Sequence, residues 1–491
     1  MNARTPIWPK VAPNLANRAI SGHALIGIIV GGLLYILSLT GSLLVFQDEL
    51  GWWESPQAPA IAPLSPEAVE AAVRAVAAAD AQPTSDVVVY LSRPDLPRAI
   101  VATDNLSFSV DGAGLLVAPY QAGWTDFVTA LHYYLHLPST FGFVLVGLLG
   151  AVMLGLIFTG LLSYPAIFRN AFALRRNGSP RTAETDLHNR LAVWTLPFQF
   201  AIAFSGAWIG LFVLVSALIG QLDYDGDRGA VSDLVYGWSV PSDETPAPFP
   251  GIAAAMRHMA TEAPAATPTT LIVHDIGTAG QHLQVIALHD GEILLGEYYN
   301  FDGAGAFQGT VGLSDGAFGK QVAIAMYPIH FGRFGVTWTR IAYVLLGFVL
   351  CIIIATGLNL SLIKRQQKGD ATKRLAAAWA ALVWGAPAAL AIALLASVSG
   401  VAAGAGLIGV FWGGLALSLA LSALWPNRGA ATRILQATAG AALLASLAVQ
   451  GAIHDGVGAA APVLALTAVF GAVAVALGAA AFWPRPRRDL A

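Results

Sequence analysis

Four histidines, His23, His132, His188 and His330, stand in a spacing pattern that chemistry can use. His23 is followed 18 residues later by Gly41 in Leu39-Thr40-Gly41, and His188 is followed 18 residues later by Gly206 in Phe204-Ser205-Gly206. His132 precedes Gly160 of Thr159-Gly160 by 28 residues, and His330 precedes Gly357 of Thr356-Gly357 by 27. Neutral imidazole is the commonest protein metal ligand. Two histidines on different helices are what a bis-imidazole b-type haem needs, because its iron takes one nitrogen from each side. The single Cys351 excludes a disulfide framework, a cysteine-ligated iron–sulfur cluster and a haem attached through CxxCH. Zinc fits poorly, since neither pair has an HExxH motif, a Cys/His cluster or a third ligand. The bland alternative is interfacial histidines bonded to backbone or headgroups, and matched spacing at four positions argues against it. His136 competes with His132, because residues four apart share one face of a helix and either can be the outer ligand. His258, His274, His282 and His289 read as surface residues of one loop, with transient iron contact as the sharper option. His454 reads as solvated.

The elements that position these residues are apolar. The chain has 491 residues, 56% hydrophobic and 11% charged, against a usual charged share of about 25%. A single soluble globule is excluded. Eight apolar stretches, roughly 23–46, 141–164, 190–219, 339–363, 378–398, 402–424, 433–453 and 461–483, reach the length of about 20 residues that crosses a bilayer. The first is too long for a signal-peptide core and reads as a retained helix. Most Lys and Arg fall on one side of this topology: Arg4, Lys10 and Arg18; Arg169, Arg175, Arg176, Arg181 and Arg190; Lys364, Arg365, Lys368, Lys373 and Arg374; Arg428 and Arg433; Arg485, Arg487 and Arg488. By the positive-inside rule both termini are cytoplasmic.

Two long loops, about 47–140 and 219–338, then lie outside. The first reads as a helix from Pro66 to Ala79, then strands Val87–Leu91, Ala99–Thr103 and Leu106–Val117 with an Asp111-Gly112 turn. The second reads as a helix over Gly251–Glu262, then strands Thr270–His274, His282–Leu288 and Ile293–Phe301 with an Asp290-Gly291 turn. Each reads as a small α+β domain. Both are acidic without a basic-aromatic pattern, so nucleic acid is not a credible partner. A unit of helix, outer domain and helix occurs twice in one orientation, and such parallel repeats bury their site at the repeat interface. The expected fold is therefore a membrane-spanning all-α bundle of about eight helices, with a tandem parallel repeat in the first four and two small α+β outer domains. The divisions fall at 1–187, with an outer domain at about 60–120, at 188–366, with one at about 245–310, and at 367–491, a four-helix appendage without histidines. The topology puts His23 and His188 in a cytoplasmic layer and His132 and His330 in an outer one. The ends of a 20-residue helix lie about 30 Å apart, a gap that inward-reaching haem planes shorten. Gly404, Gly406 and Gly409 fit GxGxxG, but no strand precedes them, and close helix packing explains them better. With no flavin or nicotinamide domain in evidence, electrons are expected from membrane quinol or from a cytoplasmic reductase.

The runs Gly22-His23-Ala24-Leu25-Ile26-Gly27, Leu131-His132, Asp186-Leu187-His188-Asn189-Arg190-Leu191 and Ile329-His330-Phe331-Gly332-Arg333-Phe334-Gly335 resemble the PepSY-associated transmembrane-helix family over roughly residues 15–366. The resemblance implies that the two loops are PepSY-like periplasmic domains. It also implies an inner-membrane reductase with two b haems that passes electrons outward to ferric siderophores. By that similarity His23 and His188 hold the cytoplasmic-side haem, and His132 and His330 the periplasmic-side one. The sequence departs from the family pattern at Tyr133-Tyr134-Leu135-His136-Leu137-Pro138, where a second histidine appears.

A ferric reductase needs an outer cavity near its haem edge. The aromatics Trp52, Trp53, Trp124, Tyr133 and Tyr134 are candidate walls, with interface anchoring as the alternative. Arg333 and Arg340 are outer cations suited to haem propionates or to an anionic Fe(III) chelate, although Arg340 also fits a snorkelling flank. Fe(II) is held far less well than Fe(III) by hard oxygen chelators, so reduction releases iron. Two competing functions are a permease subunit for iron chelates and a non-enzymatic, membrane-anchored regulator or binding protein. The first is weakened by the scarcity of charge and of broken-helix signals in the spans. The second leaves the paired histidines unexplained.

Overall fold

The computed structural model describes residues 11–93, 96–163, 172, 179–227, 230–231, 240–289, 296–313, 316–369, 371–453 and 461–483. Among them, eight helices are long and apolar enough to cross a membrane. They are α1 (Pro13–Leu44), α5 (Ser139–Ser163), α7 (Leu196–Asp223), α10 (Thr337–Gln367), α11 (Lys373–Val398), α12 (Ala405–Leu424), α13 (Arg428–Ile453) and α14 (Ala461–Phe482). The protein is a multi-pass membrane protein. Shorter helices flank the spans: α2 (Gln47–Glu54), α3 (Pro66–Ala79), α4 (Gly123–Tyr134), α6 (Pro180–Trp194), α8 (Ile252–Glu262) and α9 (Phe318–Phe331).

The expected spans agree with these helices to within several residues, except at two places. Helix α1 starts ten residues earlier than expected, at Pro13, where proline sits at a helix start without a lost bond. The third span is broken at Thr195: α6 ends at Trp194, and α7 restarts with Pro197 in its first turn. Proline there has no N–H to continue the α6 ladder. His188 therefore rides on a separate short helix. The cations Arg4, Lys10, Arg169, Arg175, Arg176, Arg485, Arg487 and Arg488 lie outside the described residues, as do His454 and the Asp290-Gly291 turn.

The two long loops, each expected as a small α+β domain, contribute four strands apiece to one eight-stranded sheet. Strands β1 (Asp86–Tyr90), β2 (Ala99–Ala102), β3 (Ser107–Val110) and β4 (Leu116–Pro119) come from the first loop. The second loop supplies β5 (Ala266–His274), β6 (His282–His289), β7 (Glu297–Asp302) and β8 (Phe307–Thr310). The order is β4-β3-β2-β1-β5-β6-β7-β8, and the antiparallel β1–β5 pairing, with Val88 opposite Ile272 and Val89 opposite Leu271, fuses the halves. Helices α3 and α8 lie on one face. Alternation puts Val87, Val89, Val101, Leu271, Val273, Leu283, Val285 and Phe301 under them, all fully buried. Helix α3 forms where Ser65 accepts the N–H of Ala68, Pro66 starts it, and Val69, Val73 and Val76 recur at helical spacing. Glu70 then accepts the backbone N–H of Ala253 at the start of α8.

The last four spans dock on the others through buried polar contacts. Tyr35 donates to the Val383 carbonyl at 2.8 Å, Trp124 to Leu390 at 3.0 Å, and Gln450 to Trp53 at 2.6 Å. Trp53 also donates to Thr467 Oγ1 at 3.0 Å and packs edge-on against Phe470.

Because both halves of the sheet share one core, Leu271→Ala should cost about 2–5 kcal/mol. Hydrogen exchange should show β1–β2 and β5–β6 losing protection together. Loss confined to β5–β6 would contradict a single cooperative sheet.

Candidate functional site

Each of the four histidines is seated by the same local device on a neighbouring helix. His23 Nδ1 lies 3.0 Å from the Leu156 carbonyl and 3.3 Å from Thr159 Oγ1 on α5. His188 Nδ1 lies 3.0 Å from the Ile353 carbonyl and 3.2 Å from Thr356 Oγ1 on α10. His132 Nδ1 lies 3.0 Å from the Leu37 carbonyl and 3.2 Å from Thr40 Oγ1 on α1. His330 Nδ1 lies 3.0 Å from Ser205 Oγ on α7, and its ring also bonds the Ile202 backbone. Every hydroxyl spends its own proton on the carbonyl one turn back, at Gly155, Ile352, Ile36 and Ala201 respectively. A carbonyl, or a hydroxyl whose proton is already given away, can only accept here, so Nδ1 carries the imidazole proton in all four. The lone pair is then on Nε2, the tautomer that ligation through Nε2 requires, with the ring held from behind.

The glycines complete the device. The residue after each hydroxyl is Gly160, Gly357, Gly41 or Gly206, and a Cβ there would lie 3.3, 3.0, 2.7 or 2.9 Å from the Cε1 of His23, His188, His132 or His330. These are the Thr-Gly and Ser-Gly pairs that mark the sequence pattern. The pairing, however, crosses between helices: Gly41 receives His132 rather than His23, and Gly206 receives His330 rather than His188.

The four rings come together as two pairs. His132 and His330 sit at the end of the bundle that carries the sheet, with centroids 6.1 Å apart and planes inclined by 30°. His23 and His188 sit at the opposite end, at 6.3 Å and 76°. Two metal–nitrogen bonds of about 2.0–2.1 Å, plus about 1 Å from each nitrogen to its ring centre, put two axial imidazoles about 6 Å apart. Both pairs have the separation that one ion between them requires. Among the described residues no group of three or more His, Cys, Asp or Glu side chains is arranged to hold a metal. The sheet-side pair faces a cavity bounded by Leu37, Ser38, Gly41, Phe198, Ile202, Tyr343 and Gly347.

Other expected site residues are placed differently. His136 is not beside His330. Helix α4 ends at Tyr134, and Leu135 and His136 both adopt left-handed backbone angles, so the shared helix face does not exist. Its Nε2 bonds the Phe127 carbonyl at 2.9 Å, its Nδ1 accepts from Trp412 at 3.2 Å, and its ring stacks on Phe127. Trp124 is not a substrate wall: it is 4% exposed and bonded to α11. Trp52 and Trp53 are equally buried. Arg340 is committed to Glu49 through two contacts of 2.6 and 2.7 Å and to the Val45 carbonyl at 2.8 Å, which leaves no fork for an anion. Arg333 pairs with Asp48 at 3.1 Å and keeps 40% of its side chain exposed. Burial opposes ionisation of Asp48, but Arg333, Arg93, Arg98 and Arg340 together hold its carboxyl below the usual range. Tyr133 borders the cavity, and Tyr134 packs on Phe143. His258 stacks on Phe307, His289 bonds Tyr299, His274 pairs with Asp86, and His282 stacks on His274.

A scan against family models matches residues 20–365 to the PepSY-associated TM region. The chain belongs to the PepSY-associated transmembrane family. That match ends where the last four spans begin, so the family segment contains all four histidines and both halves of the sheet. A curated relative of this PepSY-associated protein, an uncharacterised protein of Pseudomonas aeruginosa, is 27% identical over 248 residues. The aligned part is 48% of this chain and 62% of the relative.

Sequence reasoning missed Glu54. Its carboxylate accepts the Trp124 N–H at 2.8 Å and the Thr125 N–H at 2.7 Å, and it also bonds the Thr125 hydroxyl. It thereby caps α4, the helix that presents His132. Burial pushes its pKa up to about 7 against the opposing hydrogen bonds from Thr125 and Trp124. A carboxyl raised on folding contributes most stability below its ordinary value and loses that contribution as pH climbs to about 7. Thermal melting should therefore fall across that window in the wild type and flatten in Glu54→Gln, which loses an acceptor worth about 0.5–1.5 kcal/mol. An unchanged slope would contradict this role.

Proposed function

We propose that this protein is an inner-membrane dihaem b-type oxidoreductase. It passes electrons across the bilayer to a periplasmic Fe(III) chelate, such as a ferric siderophore, and so releases Fe(II). The observation that carries this reading is the fourfold recurrence of a histidine anchored through Nδ1, its Nε2 lone pair reserved, in two pairs about 6 Å apart at opposite ends of one bundle. A pair held only for packing has no need of a fixed tautomer at all four positions.

In this reading His23 and His188 hold the cytoplasmic-side haem, and His132 and His330 the periplasmic-side one. Haem b held by these residues would supply one-electron redox chemistry. Leu156, Ile353, Leu37 and Ile202 fix the tautomers from behind, and Gly160, Gly357, Gly41 and Gly206 admit the rings. Tyr133 and Arg333 are the residues of the sheet-side end suited to an anionic chelate. The two halves of the sheet serve as PepSY-like periplasmic domains of a tandem repeat, with both termini cytoplasmic.

Pyridine haemochrome analysis tests the reading. Wild type should contain two b haems per chain, with Soret and α bands that shift on dithionite reduction. His23→Ala or His188→Ala should remove one haem, His132→Ala or His330→Ala the other, and His136→Ala neither. Thr356→Val should weaken haem retention about 10–100-fold, the usual cost of losing an outer-shell partner. Purified wild type without haem bands would overturn the function, and two haems in His188→Ala would overturn the ligand assignment.

A further inference from the structure

A cavity of about 280 Å³ lies where the histidine-bearing bundle meets the last four spans. Its walls are Ile28 and Ile29 of α1, Ser361 and Arg365 of α10, and Ala378 and Trp379 of α11. Ile29 is 70% exposed, so the cavity opens sideways to lipid rather than along the bundle axis. Gly32 forms part of its floor, where a Cβ would lie only 3.0 Å from Leu382. The chemistry is uneven along its length: apolar throughout, a hydroxyl at Ser361, and a guanidinium at the Arg365 end. Trp379 is held by a bond from Nε1 to the Ala355 carbonyl at 3.4 Å and by edge contact with Tyr35.

Its position bears on the far-side histidine pair. His188 is seated on Ile353, Thr356 and Gly357, and Ser361 lies one turn further along the same helix. His23 lies on the same helix as Ile28 and Ile29, between one and two turns away. We propose that this cavity binds the ring of a membrane quinol and is where electrons enter the protein. This rests on the reductase reading, which needs an electron donor. The ligand has to be lipid-soluble, planar and polar at one edge, because the entrance faces the bilayer and the polar groups converge at one end. Arg365 serves a second purpose: a nearby guanidinium favours the deprotonated phenol and so assists loss of the first proton. Overall, one quinol loses two electrons and two protons and becomes quinone. Two Fe(III) chelates each gain one electron, and both protons leave to water at the Arg365 end. The last four spans thereby acquire a task, since α11 supplies one wall.

Photolabelling of the full-length protein with an azido-ubiquinone, followed by peptide mapping, tests the site without relying on turnover. Label should fall on α1, α10 and α11 and be displaced by decylubiquinone. Ala378→Phe, which fills the cavity, and Arg365→Gln should each reduce labelling at least fivefold, with Ala378→Leu as the milder filling variant should the first not fold. In stopped-flow, decylubiquinol should reduce the haem of wild type and not that of Ala378→Phe, while dithionite reduces both. Labelling elsewhere, labelling indifferent to these variants, or a cavity that retains only phospholipid would overturn the inference. Specific labelling of a protein lacking haem would instead overturn the reductase reading and leave the quinone site standing. Haem reducible by dithionite but untouched by decylubiquinol would do the reverse.

Discussion

A helix carbonyl has two lone pairs, and in an α-helix one of them is taken by the N–H four residues on. The second is normally shielded by the side chain of that later residue, because Cβ atoms tilt back toward the helix start. Glycine at that position uncovers the carbonyl. A threonine or serine one residue earlier adds a second acceptor beside it. The seats of His23, His132, His188 and His330 are all this arrangement, in which a helix becomes a receptor for an imidazole from a neighbour. In an apolar bundle, where an unsatisfied polar group is costly, the arrangement satisfies Nδ1 and fixes which nitrogen keeps its lone pair.

The surrounding structure follows from the need to bring rings to those seats. Three of the four histidines ride on short helices beside the spans, which frees their approach angle from the direction of the span. Helix α4 is stopped by two residues in left-handed geometry and started by Glu54 from α2. Helix α6 is cut from α7 at Thr195, and α9 ends at the left-handed Gly332, where a Cβ would lie only 3.0 Å from Tyr343. The fused sheet joins the connections that lead into α4 and α9. The β1–β5 pairing thus ties together the two chain segments that deliver His132 and His330.

Local signals in the sequence carried well where the physics was local. Helix α3 appears at its full length because a serine cap, a leading proline and a valine stripe all act within one segment. The membrane spans appear because hydrophobicity alone decides them. The Thr-Gly and Ser-Gly pairs were visible as a recurring interval, but which histidine each receives depends on helix packing that no interval encodes. The β1–β5 pairing joins Asp86 to His274, far apart in the chain, and leaves no local trace. Arg340 looked available because its partner Glu49 lies on α2, a helix with little periodic signal. Trp124 looked like a surface aromatic because the docking of α11 over it comes from the far end of the sequence.

The proposed electron path requires that each histidine pair close on one iron from both sides. Low-temperature electron paramagnetic resonance of the oxidised, full-length protein addresses that directly. Two bis-imidazole sites predict low-spin ferric haem signals only, with the two pairs distinguishable because their ring planes differ, at 30° and 76°. A dominant high-spin ferric haem signal would mean an iron with an imidazole missing, and would contradict the pairing on which the rest is built.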